Sequence, residues 1–230
     1  MAVDLNADVG EGFGDDERLL DIVTSANVAC GFHAGSAETM RTVCAAAASR
    51  GVAVGAHPSY RDRKGFGRRD LDVDPDALRD DVAEQLTALL EIAAGEGAAV
   101  TYVKPHGALY TRAIADGEVA RAIVHASFSF GLAMLAWPGS ELFVQARDGG
   151  MEAFAEGFAD RGYANGRLVP RDQPGALLAA PDAAAQAVAL ARAGEVRSIC
   201  IHGDSPGAAD TAAQVRSALV NAGFTPRSFT

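Results

Sequence analysis

Seven short apolar runs punctuate this chain, at residues 3–7, 26–30, 52–56, 100–103, 132–136, 153–158 and 198–202. Runs this short read as buried strands, because buried helices need ten or more residues. The intervals between them have room for helices. Strands alternating with helices imply βα units with right-handed crossovers and a parallel sheet. Seven such runs fit an irregular parallel (β/α) barrel of about seven strands better than an open sheet. All 230 residues fit one barrel domain, residues 1–230, and a chain of this length needs no disulfide or structural metal to bury a core.

Helix punctuation supports the alternation. Ser36 is placed to cap a helix that ends near Gly51. Asp74 followed by Pro75 pairs a cap with a first-turn proline. The helix it opens runs to about Ala94, with an apolar stripe of Leu78, Val82, Leu86, Leu89, Leu90 and Ala93. Ser140 and Gly149 bracket a shorter helix, Pro181 and Gly194 another, and a last one runs through Val215 and Leu219 to Gly223. Two connections are long, residues 58–73 and 159–180, and the second carries Asn165-Gly166, a hairpin-turn pair.

Four of the five histidines end four different runs: His33, His57, His106 and His202. In parallel α/β folds the chemistry gathers beyond the C-terminal ends of the strands. Asp8, Glu11, Glu156 and Asp204 stand at the same edge. Strand side chains alternate, so Asn6 shares a face with Asp8, Lys104 with His106, and His202 with Asp204. Pro105 holds Lys104 extended. Polar groups buried in packing alone cost free energy, so the pattern reads as one enzyme pocket built from many strands. The blander alternative is a set of ion pairs that stiffens the barrel mouth.

The segment SYRDRKGFGRRD holds five of the chain's 20 lysines and arginines, between Arg61 and Arg69. With Gly65 and Gly67 as hinges, it reads as a mobile cationic clamp for a carboxylate or phosphate, through Arg68 or Arg69. Gly10, Gly12 and Gly14 match neither a dinucleotide fingerprint nor a Walker A loop, and read as turn residues.

Net charge of −10 argues against nucleic acid and anionic membrane as partners. The N-terminus lacks signal-peptide features, and the longest apolar stretch, near residues 128–137, is too short to cross a bilayer. A cytoplasmic location is expected. Cys30, Cys44 and Cys200 form no CxxC spacing, and Cys30 reads as a small buried hydrophobe. Asp8 with His33, His57 or His106 can make a carboxylate–histidine site. No HExxH spacing supports one, so no obligate metal is predicted.

Read in order, VDLNADVGEGFG, SANVACGFHAG, GAHPSYRDRKGFGRR, VKPHGALY, FADRGY and IHGDSPGA resemble the block motifs of the LamB/YcsF family, the 5-oxoprolinase A subunits. The blocks run from residue 3 to about residue 209. Ser36 stands where the family usually has aspartate, Arg61 where it has proline, and Thr111 where it has asparagine. The Ser36 departure removes a carboxylate, which puts any family role of that position in doubt. The Arg61 departure adds charge to the basic loop.

The resemblance implies a glycoside hydrolase/deacetylase-like barrel. It also implies opening of 5-oxo-L-proline (pyroglutamate) to L-glutamate coupled to hydrolysis of ATP, with Mg accompanying the nucleotide, in an assembly with subunits B and C. On that reading Asp8 or His106 activates water, and Lys104 steadies charge on a phosphorylated lactam oxygen. Asn6, Glu11, His33, His57, Arg68, Arg69, Glu156, Arg161, His202 and Asp204 form the candidate substrate-binding set. No phosphate cradle is evident, so phosphorylation can belong to the partner subunits. Two rival readings are a metal-dependent carbohydrate deacetylase or hydrolase and a non-catalytic substrate-binding subunit.

Overall fold

The structure, a computed structural model, describes residues 1–205 and 207–230. Pro206, in the IHGDSPGA block, lies outside the described residues. Six strands lead the barrel: β1 (Ala2–Val9), β2 (Ser25–Ala29), β3 (Ala53–His57), β4 (Val100–Val103), β5 (Ala133–Ala136) and β6 (Ala153–Phe158). A small antiparallel hairpin follows, β7 (Tyr163–Ala164) with β8 (Arg167–Leu168), and then β9 (Ser198–Ile201). Strand β9 pairs in parallel with both β6 and β1, which closes a seven-stranded parallel barrel. Each expected run coincides with a barrel strand to within two residues at either end. At the hairpin, Asn165 and Gly166 both have positive φ, 51° and 72°, as the two central residues of a type I′ turn require.

Around the barrel lie α1 (Asp16–Leu20), α2 (Ala37–Arg50), α3 (Pro75–Gly95), α4 (Gly107–Ala113), α5 (Gly117–Phe128), α6 (Glu141–Asp148), α7 (Ala180–Ala193) and α8 (Ala208–Asn221). Ser36, Asp74 and Ser140 cap their helices by accepting backbone N–H groups. Gly51 and Gly194 end theirs in the left-handed conformation. Helices α4 and α5 fill the span between β4 and β5 that sequence periodicity left unassigned. Helix α5 buries Val119, Ala120, Ile123 and Val124 and exposes Glu118, Arg121, His125 and Phe128 at helical spacing.

The two faces of each strand do different work. On β1, Val3, Leu5, Ala7 and Val9 join the apolar layer between barrel and helices, with Leu78, Val82, Leu86 and Leu89 of α3. Asp4, Asn6 and Asp8 alternate with them and are also buried, so they fill the lumen. At the N-terminal end of the barrel the chain returns as β10 (Thr225–Pro226), parallel to the start of β1. Phe229 then packs on Tyr102 and Phe154, with ring centroids 4.9 and 4.8 Å apart. Tyr102 fits inside the barrel because residue 55 is glycine: a Cβ there would lie 2.2 Å from the Tyr102 ring.

Candidate active site

The lumen is a ladder of polar groups that begins at the closed end. Asp4 accepts hydrogen bonds from Thr24 and Ser25 at 2.6 Å each, and from Ser198. One level up, Asn6 Nδ2 donates to Ser198 Oγ at 2.6 Å. Asn27 Nδ2 donates to Asn6 Oδ1 at 2.7 Å and to Asp8 Oδ1 at 2.9 Å, and Tyr102 OH donates to Asn27 Oδ1 at 2.7 Å. Above these, Lys104 Nζ lies 3.2 Å from Asp8 Oδ1, 3.3 Å from Glu156 Oε2 and 2.9 Å from Cys200 Sγ. Burial opposes charge on both members of the first pair. The attraction outweighs it: Asp8 is held well below the usual carboxylate range, and Lys104 well above the usual lysine range.

At the mouth the histidines converge. His57 Nδ1 contacts Lys104 O at 2.7 Å, and its Nε2 lies 3.0 Å from His106 Nδ1 and 3.5 Å from Asp8 Oδ1. His106 Nε2 contacts Phe66 O at 2.9 Å. His33 stacks on His106 with ring centroids 3.8 Å apart. Glu11 Oε1 reaches His33 Nε2 at 3.1 Å and His106 Nδ1 at 3.3 Å. Burial, then repulsion from Asp8, pushes the Glu11 carboxyl well above its usual range. Burial, then the neighbouring His57, pushes His106 down to about 3. A groove of about 290 Å³ opens beside this cluster, lined by Gly10, Glu11, Gly12, His33, Ser36, Arg63 and Phe66 among others. A larger groove of about 570 Å³, with Arg50, Arg216 and Arg227 in its wall, lies at the opposite end of the barrel and holds none of the candidate residues.

The structure therefore brings Asp8, Glu11, His33, His57, Lys104 and His106 together. Asn6 and Glu156 lie beneath them as fully buried supports. His202 sits at the rim, its Nδ1 3.0 Å from Asp160 Oδ1. Asp204 is bound by Arg68, and by Arg171 at 3.2 Å; burial opposes its charge, but Arg171 and then Arg68 hold its carboxyl below the usual value. Arg69 does not join the site, because its guanidinium pairs with buried Asp62 inside its own loop. Arg161 does not join it either: its guanidinium donates to the carbonyls of Ala176 at 3.0 Å and Val169 at 2.7 Å, tying down the 159–180 connection.

The expected mobile clamp is instead a pinned loop. Arg61 pairs with Asp81 and Glu84, while Arg63 donates to the carbonyls of Gly31 and Gly35 at 2.9 Å each. Gln85, a polar residue on the buried face of α3, holds Ser59 through both its amide groups. Ala108 N donates to Gly67 O, and a Cβ at Gly107 would sit 2.6 Å from that same oxygen. Gly67 and Gly107 thus permit close docking rather than hinging. Of the five basic residues, Arg68 is the one paired with a rim carboxylate of the candidate set.

Sequence reasoning missed Asn27, Asp160 and Arg171. Asn27 and Asp160 were within reach of the alternation rule, since Ser25 and Asn27 share a face of β2, and Glu156, Phe158 and Asp160 continue one face of β6. Arg171 lies in a long connection with no periodicity to place it. Cys30 is buried, its thiol pushed up by burial to about 12, as expected of a small hydrophobe.

The LamB/YcsF family model matches residues 3–230. This chain belongs to the LamB/YcsF family. One relative, the 5-oxoprolinase A subunit of Streptomyces griseus, is 50% identical, with 99% of each chain covered. Among solved structures, the lactam utilization protein of Thermus thermophilus is 39% identical and superposes with a TM-score of 0.93 over the whole of both chains. A family 4 carbohydrate esterase from Streptomyces lividans has a TM-score of 0.59 at 12% identity, covering 100% of this chain and 93% of its own, which shows a shared fold alone. Among the described residues of this LamB/YcsF member, no helix is long and apolar enough to cross a membrane.

Proposed function

We propose that this chain is the A subunit of an ATP-dependent 5-oxoprolinase, and that its barrel mouth opens the lactam ring of 5-oxo-L-proline to yield L-glutamate. The observation that carries the reading is full-length similarity, at about half identity, to a protein named as the A subunit of 5-oxoprolinase. ATP, with Mg, is spent in the assembly with subunits B and C, and the chain acts in the cytoplasm.

A lactam is a weak electrophile, so the coupling has a clear chemical use. Transfer of the terminal phosphoryl group to the lactam oxygen leaves an imidate-like ring carbon. Water adds to that carbon and the ring C–N bond breaks, giving γ-glutamyl phosphate, from which a second water releases phosphate and leaves glutamate. Glu11 is the group suited to take the proton of the attacking water, because it lines the groove and its carboxyl has a raised proton affinity. Asp8, held ionised by Lys104, is the weaker base of the two. Lys104 offsets negative charge beneath the reacting centre, and Arg68 at the rim meets the substrate carboxylate.

Glutamate release from 5-oxo-L-proline and ATP, measured for this chain alone, for subunits B and C alone and for the full mixture, tests the reading. Glutamate only in the full mixture supports it. No glutamate there, with all three subunits folded, rejects it. Full turnover by Glu11→Gln would remove Glu11 as the base.

A further inference from the structure

The tautomers of two facing histidines point to a cation. A backbone carbonyl only accepts hydrogen bonds, so the ring nitrogen beside it must carry the proton. His57 Nδ1 faces Lys104 O at 2.7 Å, so its Nε2 presents a lone pair. His106 Nε2 faces Phe66 O at 2.9 Å, so its Nδ1 presents a lone pair. These two lone pairs meet at 3.0 Å. Asp8 Oδ1 lies 3.5 Å from His57 Nε2, and Glu11 Oε1 lies 3.3 Å from His106 Nδ1 and 4.0 Å from His57 Nε2. All four atoms fall within 4.8 Å of one another. With Glu11 ionised and both imidazoles neutral, four acceptor atoms crowd together with no hydrogen between them, and a positive centre among them removes the repulsion.

We infer that Asp8, His57 and His106 hold a divalent first-row transition-metal ion at the barrel mouth, with Glu11 beside its open side. Donors about 2.0–2.1 Å from a tetrahedral ion lie about 3.3 Å apart, close to the 3.0 Å and 3.5 Å that separate His57 Nε2 from His106 Nδ1 and Asp8 Oδ1. Two imidazoles with one carboxylate suit zinc, manganese, iron or cobalt rather than magnesium or calcium, which prefer oxygen. The carbonyls of Lys104 and Phe66 orient the two rings in the way outer partners of metal-bound histidines do. Asn27 does the same for Asp8, donating to the oxygen that faces His57. The ligands come from β1, the end of β3 and the residue that caps α4, so no local spacing such as HExxH announces them. The inference stands on ring orientation and holds whichever substrate the barrel takes.

The test uses the full chain, stripped with a chelator and dialysed, then titrated separately with zinc sulfate, manganese chloride and cobalt chloride. Bound metal is counted by mass spectrometry of the eluted ion, and cobalt ligation is read from its visible absorption. One equivalent of metal, with cobalt bands of a low-coordinate nitrogen and oxygen site, is expected. Binding should weaken at least about 100-fold in Asp8→Asn and His57→Ala, and stay unchanged in His125→Ala, which removes an exposed histidine of α5. Circular dichroism checks that each variant folds. Should His57→Ala not fold, ring-nitrogen NMR of the unaltered protein with and without zinc decides, because metal must shift His57 Nε2 and His106 Nδ1 and leave His125 in place. No bound metal at millimolar concentration, binding that survives both substitutions, or a proton found on His57 Nε2 in the presence of zinc would overturn the assignment.

Discussion

Lys104, just past the end of β4, and Asp8 of β1 meet across the barrel lumen from opposite walls, Nζ to Oδ1 at 3.2 Å. Both side chains are almost fully buried, so each charge depends on the other. Glu156, 3.3 Å from the same ammonium, makes the arrangement a triad with one excess negative charge.

Lys104→Met leaves two buried carboxylates without a counter-charge. Loss of about 3–5 kcal/mol is expected, as is usual when one partner of a buried pair is removed. In a chain of this length that lowers Tm by on the order of 10 °C. Adding Glu156→Gln should restore part of the loss in thermal denaturation. A double variant less stable than Lys104→Met would show that Glu156 does not depend on Lys104.

Asp4 sets a pH dependence of stability. Burial raises its pKa from 3.8 to about 6, although Ser198, Ser25 and Thr24 all donate to it. The folded state therefore holds this proton where the unfolded chain has lost it. Stability from this group is greatest below the unfolded value and falls as pH rises through about 4 to 6, by roughly 3 kcal/mol in all. Asp4→Asn imitates the protonated form. The difference between the two proteins in urea denaturation should shift toward the variant by about that amount between pH 4 and pH 7; a difference independent of pH would refute it.

Arg68 and Arg69 are neighbours with opposite assignments. In the reconstituted mixture, Arg68→Ala should raise KM for 5-oxo-L-proline roughly 10-fold or more, the loss typical of a charge-assisted hydrogen bond. Arg69→Ala should leave KM unchanged and cost little stability, because its guanidinium is largely exposed while paired with Asp62. Equal KM effects would mean that the loop moves as a unit on binding.

Gly55→Ala tests the close approach of Tyr102. The added methyl would collide with the ring at 2.2 Å, and overpacking of this kind costs about 1–3 kcal/mol. Denaturant midpoints measure it, and Gly95→Ala, where a Cβ meets nothing within 4 Å, is the control.

All three thiols are buried, and burial pushes Cys30 up to about 12 and Cys44 to about 11. A thiol-disulfide reagent should therefore react with none of them in the native protein at neutral pH and with all three after unfolding. Fast reaction of Cys200 in the folded state would show that the lumen opens beside Lys104.

Alternation was the part of this molecule that a single sequence could determine. It located seven strands, because short apolar runs are what a strand buried on both faces requires, and it paired Asn6 with Asp8 and Lys104 with His106, because side chains repeat every second residue. The motif blocks added the family. Helix α5 carries an exposed stripe at helical spacing, Glu118, Arg121, His125 and Phe128, which the two-residue alternation of strands does not pick out. Only the closed barrel decided which distant side chains meet: that Lys104 faces Asp8 rather than solvent, that Arg68 turns to the rim while Arg69 turns to Asp62, and that His57 and His106 present lone pairs to each other. Those outcomes depend on strand register and on which backbone carbonyl lies beside each ring, and both are fixed by pairing between residues dozens of positions apart, which no local pattern encodes.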